Sequence, residues 1–358
     1  MPRLQVISGT GGKAAACFLV ESGGRRLLLD LGREPGIGRP PDLASCGRID
    51  AVLLSHGHDD HAGAIDLVPE IGSSPVYATG PVAAGLPGGL AIRRLPAMGE
   101  IEVEGMRVTT GRNGHAPGGV WLHLATPDGG MLYAGDLCRE SMLYALDPPP
   151  HARLAVLDAS YGLDDVPQSA RREALAPLLR AGPVMLPAPP RGRGPELALF
   201  AYEVTGRLPA LCDATREAVR DLLGIARPSV RDEAEARLRV LLDAPPIPAE
   251  PEGVMIAASA DASGGTAAEA TVRWHSRAEP LIVFTGHVPA GSPAAQLLQE
   301  KRALWRRWNV HPKLSDNVGL ARDTGAQMVL PAFTDAPLPA LAPAFAPAQT
   351  VGSDTVEF

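Results

Sequence analysis

The sequence predicts an α/β protein of two parts, and three observations carry that reading. Over the first third, short apolar runs alternate with glycine-rich turns. From about residue 151 the pattern changes to apolar strands separated by segments of helical spacing. Within the first third, three histidines and two aspartates fall together in six residues at the end of one apolar strand. The 358 residues suit two domains, or one large domain that carries an insertion.

In chain order, CFLV, RRLLLDLG, IDAVLLS, SPVYATG, MRVTT, VWLHLAT and GMLYAGD read as strands, several in hairpin succession. RLAVLDAS, GPVMLPAPP, GVMIAAS, PLIVFTG and AQMVLPAF read as the strands of the second pattern. ARREALAPLLRA, PELALFAYEV, TREAVRDLLGIA, DEAEARLRVLL and PAAQLLQEKRALWRRW space their apolar residues as helices do. On this reading Trp305 and Trp308, with Arg302, Arg306 and Arg307, share one helix, and His275 lies in another. Residues 243–253, DAPPIPAEPEG, form a proline-rich surface loop, and the last twenty residues read as an extended tail. No internal repeat is present.

Composition excludes some functions. Hydrophobic residues at 45% and charged residues at 20% exclude a disordered or fibrous chain. A net charge of −7 excludes a globally basic nucleic-acid coat while leaving room for a local basic groove. Aromatic residues at 4% argue against a stacking platform for single strands. Lys13, Lys301 and Lys313 are the only lysines among 33 basic residues, a bias that identifies no partner. Cys17, Cys46, Cys138 and Cys212 lack CxxC spacing, which indicates neither a disulfide framework nor a thiolate zinc site. With no charged head followed by an apolar run at the N-terminus and no membrane-length apolar stretch, the expectation is a soluble cytoplasmic protein without a membrane partner.

The sharpest feature is SHGHDDHAGA, residues 55–64, between the apolar strand AVLL and the apolar start AIDLV. Imidazoles and carboxylates held on a strand-end loop can converge on a metal ion, the alternative being a solvated polar loop. The segment is the HxHxDH pattern of the metallo-β-lactamase superfamily, and the chain resembles that family further on: NGHAPGG supplies His115 and LYAGD supplies Asp136. The resemblance implies that His56, His58 and His115 hold one metal, that Asp60 and His61 hold a second, and that Asp136 bridges both.

Later segments are similar, in order, to the β-CASP insertion of nucleic-acid-processing members. They are LDASYG (157–162) with Asp158, PAPPRGRGPEL, IAASADASGG and VFTGHVPAGSPAAQLL. Small hydroxyl residues and backbone N–H groups at Ser259, Ser263, Gly264 and Gly265 could contact phosphate oxygens, the alternative being an ordinary strand-to-helix turn. Arg193 could anchor a phosphate or pair with Glu196, and His287, where the family has Tyr, could face substrate or pack. WNVHPKLSDN places His311 where the family carries the histidine proposed to protonate the leaving oxygen. In MVLPAFTD, Phe333 stands where the family strand ends in a histidine that completes the second metal site. DNA-processing members lack that histidine, so the departure weakens an automatic assignment to RNA.

The expectation is therefore an αββα metallo-β-lactamase sandwich interrupted by a β-CASP α/β domain, with boundaries at 1–162, 163–290 and 291–358. The implied activity is phosphodiester hydrolysis of RNA or DNA through two Zn2+ ions, the second more weakly held, with Mn2+ or Fe2+ as other metals the ligands suit. Asp60 would orient the attacking water, His311 would act as general acid, and Asp158 would orient a ligand histidine. Two alternatives stand beside it: an ester or thioester hydrolase on the same fold, and a metal-poor nucleic-acid-binding pseudo-enzyme. The sequence selects no oligomeric state, a dimer included.

Overall fold

The computed structural model describes residues 1–352 and 355–358. The chain divides into two compact units. The first comprises residues 1–139, 144–165 and 311–358, and the second comprises 140–143 and 166–310.

The first unit holds two seven-stranded sheets. One orders its strands Thr355–Glu357, Arg3–Ser8, Cys17–Ser22, Arg25–Leu29, Ala51–Leu53, Val76–Ala78 and Ile92–Arg94. The other orders Gln349–Thr350, Met328–Ala332, Leu154–Asp158, Met131–Tyr133, Val120–Leu124, Met106–Arg112 and Gly99–Val103. Side chains alternate across a strand, so the unbroken apolar runs CFLV and LLL must bury both faces. They do: Phe18, Val20, Leu27 and Leu29 join Val108, Leu122, Tyr133 and Val156 of the other sheet in a central core. Cys17, Leu19 and Leu28 face outward onto Ile65, Val68 and Ile71 of the 3-10 helix Ile65–Ile71. On the far side Leu132, Ala155 and Val329 pack under Leu320 and Ala321 of the helix Leu314–Asp323 and Leu341 and Phe345 of Leu338–Phe345. These are the four expected layers, αββα.

In the second unit, five parallel strands order as Ala210–Leu211, Val254–Ala257, Val184–Pro187, Leu281–Phe284 and Ala303–Trp305. Helices connect them, including Gln168–Ala181, Arg193–Thr205, Asp213–Leu223, Asp232–Val240 and Gly265–Arg273. Met185, Met255, Ile282 and Phe284 form its core with Ala267, Ala270 and Leu297.

Four expectations are corrected. PAAQLLQEKRALWRRW is not one helix: Pro293–Gln299 is helical, Lys301 takes a left-handed φ of 57°, and Ala303–Trp305 pairs in parallel with Ile282–Phe284. Trp308 is fully buried and Trp305 is 37% exposed, so the two tryptophans and their arginines share no helical face. That edge strand also carries residues 291–310 into the second unit, and the first unit resumes at His311. The last twenty residues are not a plain tail. Leu341 and Phe345, one helical turn apart, bury a short helix that its prolines disguised, and Thr355–Glu357 pairs with Arg3–Gln5. Finally, the helix Gly265–Arg273 ends before His275.

Candidate metal centre

Every residue of the centre lies in the first unit, at strand ends and in the loops and short helix that follow them. The strand Ala51–Leu53 runs into Ser55–His58, and the short helix Asp59–Ala62 turns the chain back, so that His61 N–H donates to His58 O at 2.9 Å. This return needs a bare backbone beside it: a Cβ on Gly32 would lie 1.8 Å from Asp60 O. Gly135, with φ 56°, likewise brings the chain against Ser55 immediately before Asp136. His115 follows the strand Met106–Arg112, and its N–H donates to Asn113 Oδ1 at 3.1 Å.

The side chains meet in three overlapping groups that share Asp136, the third being Asp136, Asp158 and His311. His58 Nδ1 lies 3.0 Å from His56 Nε2 and 3.1 Å from His115 Nε2, and Asp136 Oδ2 is 3.3 Å from His115 Nε2. Asp136 Oδ1 faces His61 Nε2 at 3.1 Å, with Asp60 in the same group. Three imidazole nitrogens that converge with a carboxylate on one buried point cannot all satisfy one another as donors and acceptors, whereas a divalent cation satisfies all four lone pairs. The residues present therefore fit a metal ion at the first group. The second group supplies only Asp60, His61 and the shared Asp136. The Phe333 ring, buried and carrying no donor, packs against His61 with centroids 5.2 Å apart.

Burial and the neighbouring charges set the protonation states. Burial drives His56 well below the usual histidine range, and His61 and His58 add to this, so its lone pair is available. For His61 burial opposes the charged form, but the carboxylates of Asp136 and Asp30 outweigh it and raise the group well above that range. Burial opposes ionisation of Asp136, yet His61, His311 and His115 hold it well below the usual carboxylate range. Asp60 is lowered as well, with Lys13 and His61 overcoming its burial.

Four residues the sequence reading passed over support this ligand set. Asp30, fully buried with a left-handed φ of 57°, accepts from Ser55 N and Ser55 Oγ at 2.6 Å each, and from Tyr133 OH at 2.6 Å. It also meets His61 Nδ1 at 2.7 Å, which orients the ring so that Nε2 faces Asp136. Burial, reinforced by Asp30, raises the Tyr133 hydroxyl well above its usual range and keeps it a donor. The sequence held one signal for this network: an aspartate closing the continuous apolar strand RRLLLDLG has to be paired inside the protein. Lys13 is the fourth, its Nζ 3.8 Å from Asp60 Oδ2.

His311 is buried beside the cluster. Its Nδ1 lies 2.7 Å from Asp158 Oδ2 and 3.6 Å from Asp136 Oδ2, and its ring sits 5.1 Å from that of His115 and 5.3 Å from that of Tyr161. Asp158 is fixed in turn by Ser160 Oγ at 2.6 Å and Leu137 N at 3.2 Å. The imidazole that Asp158 orients is thus that of His311.

The remaining residues read as substrate contacts all lie in the second unit. Ser259 Oγ, Ser263 Oγ and Ser263 N all donate to Asp261 Oδ1, at 3.0, 2.7 and 3.1 Å, and Gly264 N donates to Ser259 Oγ. These donors are engaged within the loop by a carboxylate, which is not the arrangement of an open phosphate cradle; Gly265, with φ 59°, starts the following helix. Arg193 is buried, with its guanidinium against Gly286, next to the exposed His287. Glu196 accepts from Ser141 Oγ, Met142 N and Trp308 Nε1.

Residues 10–184 match the family model described as the metallo-β-lactamase superfamily. Ribonuclease TTHA0252 of Thermus thermophilus is 29% identical over 231 residues, covering 54% of this chain and 53% of that one. The transcription termination factor FttA of Cenarchaeum symbiosum is 23% identical, covering 55% and 38%, and the endoribonuclease YSH1 of Kluyveromyces lactis is 23% identical, covering 55% and 32%. The matched region thus spans about half the length of these relatives or less. A solved structure of a protein of unknown function from Enterococcus faecalis V583 shares the fold across 99% of both chains, with a TM-score of 0.60 and 15% identity.

Proposed function

Since the chain belongs to the metallo-β-lactamase superfamily, with β-CASP nucleic-acid-processing proteins among its relatives, we propose that it is a metal-dependent phosphodiesterase that cleaves RNA. One observation carries the proposal: the ligand cluster and the His311–Asp158 pair meet at Asp136 within a single buried site. The names of the relatives, two of them ribonucleases, supply the preference for RNA.

His56, His58, His115 and Asp136 hold one divalent cation, and Asp60, His61 and Asp136 offer a weaker position for a second. Zinc suits this set of imidazoles and carboxylates, and Mn2+ and Fe2+ are accommodated by the same ligands. When bound, such cations lower the pKa of an attacking water and neutralise charge on the phosphoryl oxygens. Asp60, beside that position, accepts a hydrogen bond from the water and aligns it. Asp158 accepts from His311 Nδ1–H, which leaves Nε2 to carry the proton that the departing oxygen needs. The low Asp136 keeps its carboxylate ionised throughout.

The four free, buried cysteines suit a reducing cytoplasm. Among the described residues no helix is long and apolar enough to cross a membrane.

The test is cleavage of end-labelled RNA and of single-stranded DNA of the same sequence by protein loaded with Zn2+ or Mn2+. RNA cleavage that a chelator abolishes and added metal restores is expected. Metal-loaded protein that leaves both polymers intact but hydrolyses a thioester would overturn the proposal.

A further inference from the structure

The second group of ligands runs short at a point where the structure places a lysine. Asp60, His61 and Asp136 are its only members among the described residues, and the Phe333 ring covers His61 without offering a donor. The loop between Gly9 and Ala16 is tied down at both ends of this gap. Phe333 N donates to Gly9 O at 2.8 Å, and Ala16 N donates to Asp60 O at 2.7 Å. Between the two tethers the Lys13 ammonium reaches to 3.8 Å from Asp60 Oδ2, with its side chain 29% exposed. Of the three lysines in the sequence, this one stands beside a carboxylate of the metal cluster.

We propose that Lys13 takes over the electrostatic part of a second tightly bound cation. The protein then holds one divalent ion firmly, at His56, His58, His115 and Asp136, with an ammonium fixed at Asp60. Two consequences follow from charge alone. A second divalent ion would bring its double charge against the ammonium across a single carboxylate, which weakens its binding. The ammonium has three donors and pairs with Asp60 by charge at 3.8 Å, so its donors can meet an anionic oxygen of a phosphate-bearing substrate. Both tethers are backbone hydrogen bonds, so the placement of Lys13 survives loss of its charge.

This inference rests on the reading of the cluster as a metal centre, though not on the identity of the substrate, and its test needs no cleavage assay. Chelator-stripped protein is titrated with Co2+ while visible absorption and calorimetry count the ions and give each affinity. The wild type should bind one ion tightly and the second at least tenfold more weakly. Lys13→Gln, which keeps a polar side chain and removes the charge, should tighten the second ion by about tenfold and leave the first unchanged. Lys13→Arg should keep the wild-type pattern. A merely structural lysine would instead loosen binding when replaced. Two equally tight ions in the wild type, or a second-ion affinity unaltered or weakened in Lys13→Gln, would overturn the inference. Failure of the wild type to bind any ion would overturn the metal-centre reading itself, a visibly different result.

Discussion

Replacing Asp30 with Asn tests how much of the metal centre depends on a residue that touches no metal. The substitution preserves shape and removes one acceptor. If the amide oxygen stays opposite Ser55 N, the amide nitrogen takes the place of Oδ2, which now receives Ser55 Oγ, Tyr133 OH and His61 Nδ1. The two hydroxyls can rotate and accept. His61 can accept at Nδ1 only by carrying its proton on Nε2, the atom that faces Asp136 Oδ1 at 3.1 Å, and a protonated Nε2 cannot bind a cation. With the amide turned the other way, its N–H groups confront the Ser55 N–H, donor against donor, in a site with no solvent exposure.

Either orientation loses a hydrogen bond to a charged acceptor and buries an unmatched donor, which together cost about 3–5 kcal/mol. Loss of the outer partner of a ligating histidine should weaken metal binding at His61 by about 10–100-fold. Urea unfolding of the metal-free protein gives the first quantity, and Co2+ titration gives the second. An Asp30→Asn protein within about 0.5 kcal/mol of wild type, with second-ion affinity changed less than twofold, would refute this account of the network.

His311→Ala should lower turnover by about 10²–10⁴-fold while the bound metal, counted by elemental analysis, stays unchanged, because its Nδ1 is committed to Asp158. A parallel loss of metal would make His311 a ligand. Gly32→Ala drives a Cβ into Asp60 O and should cost about 4 kcal/mol or more, seen as a large fall in thermal midpoint together with loss of metal. Glu196→Ala strands Ser141 Oγ, Met142 N and the fully buried Trp308 Nε1 in the second unit. It should destabilise that unit by about 2–5 kcal/mol in denaturant while first-ion affinity is retained.

The sequence by itself determined the layers and the candidate ligands of one loop. Continuous apolar strands can only be covered on both faces, so CFLV, LLL and AVLL announce a buried sheet wherever they occur. HGHDDH concentrates candidate ligands within one loop, so their nearness to one another is local even though His115 and Asp136 come from later in the chain. His115, Asp136 and His311 were legible only through resemblance, because a single histidine or aspartate after a strand has no local signature.

What the tertiary structure alone decided is everything that depends on partners far apart in the chain. Asp30 meets Tyr133 across 103 residues and His61 across 31, and no spacing rule encodes either pairing. The Ala303–Trp305 run has helical spacing, yet it becomes a strand because the edge of the second sheet at Ile282–Phe284 offers it a ladder of hydrogen bonds. Ser259 and Ser263 looked like donors for a ligand until the fold of their loop turned them onto Asp261. Lys13 was one residue of a glycine-rich turn until two backbone tethers brought its ammonium to Asp60. Local composition fixes which residues must be buried or can bind metal, whereas the choice among partners is made by chain closure, which only the folded protein records.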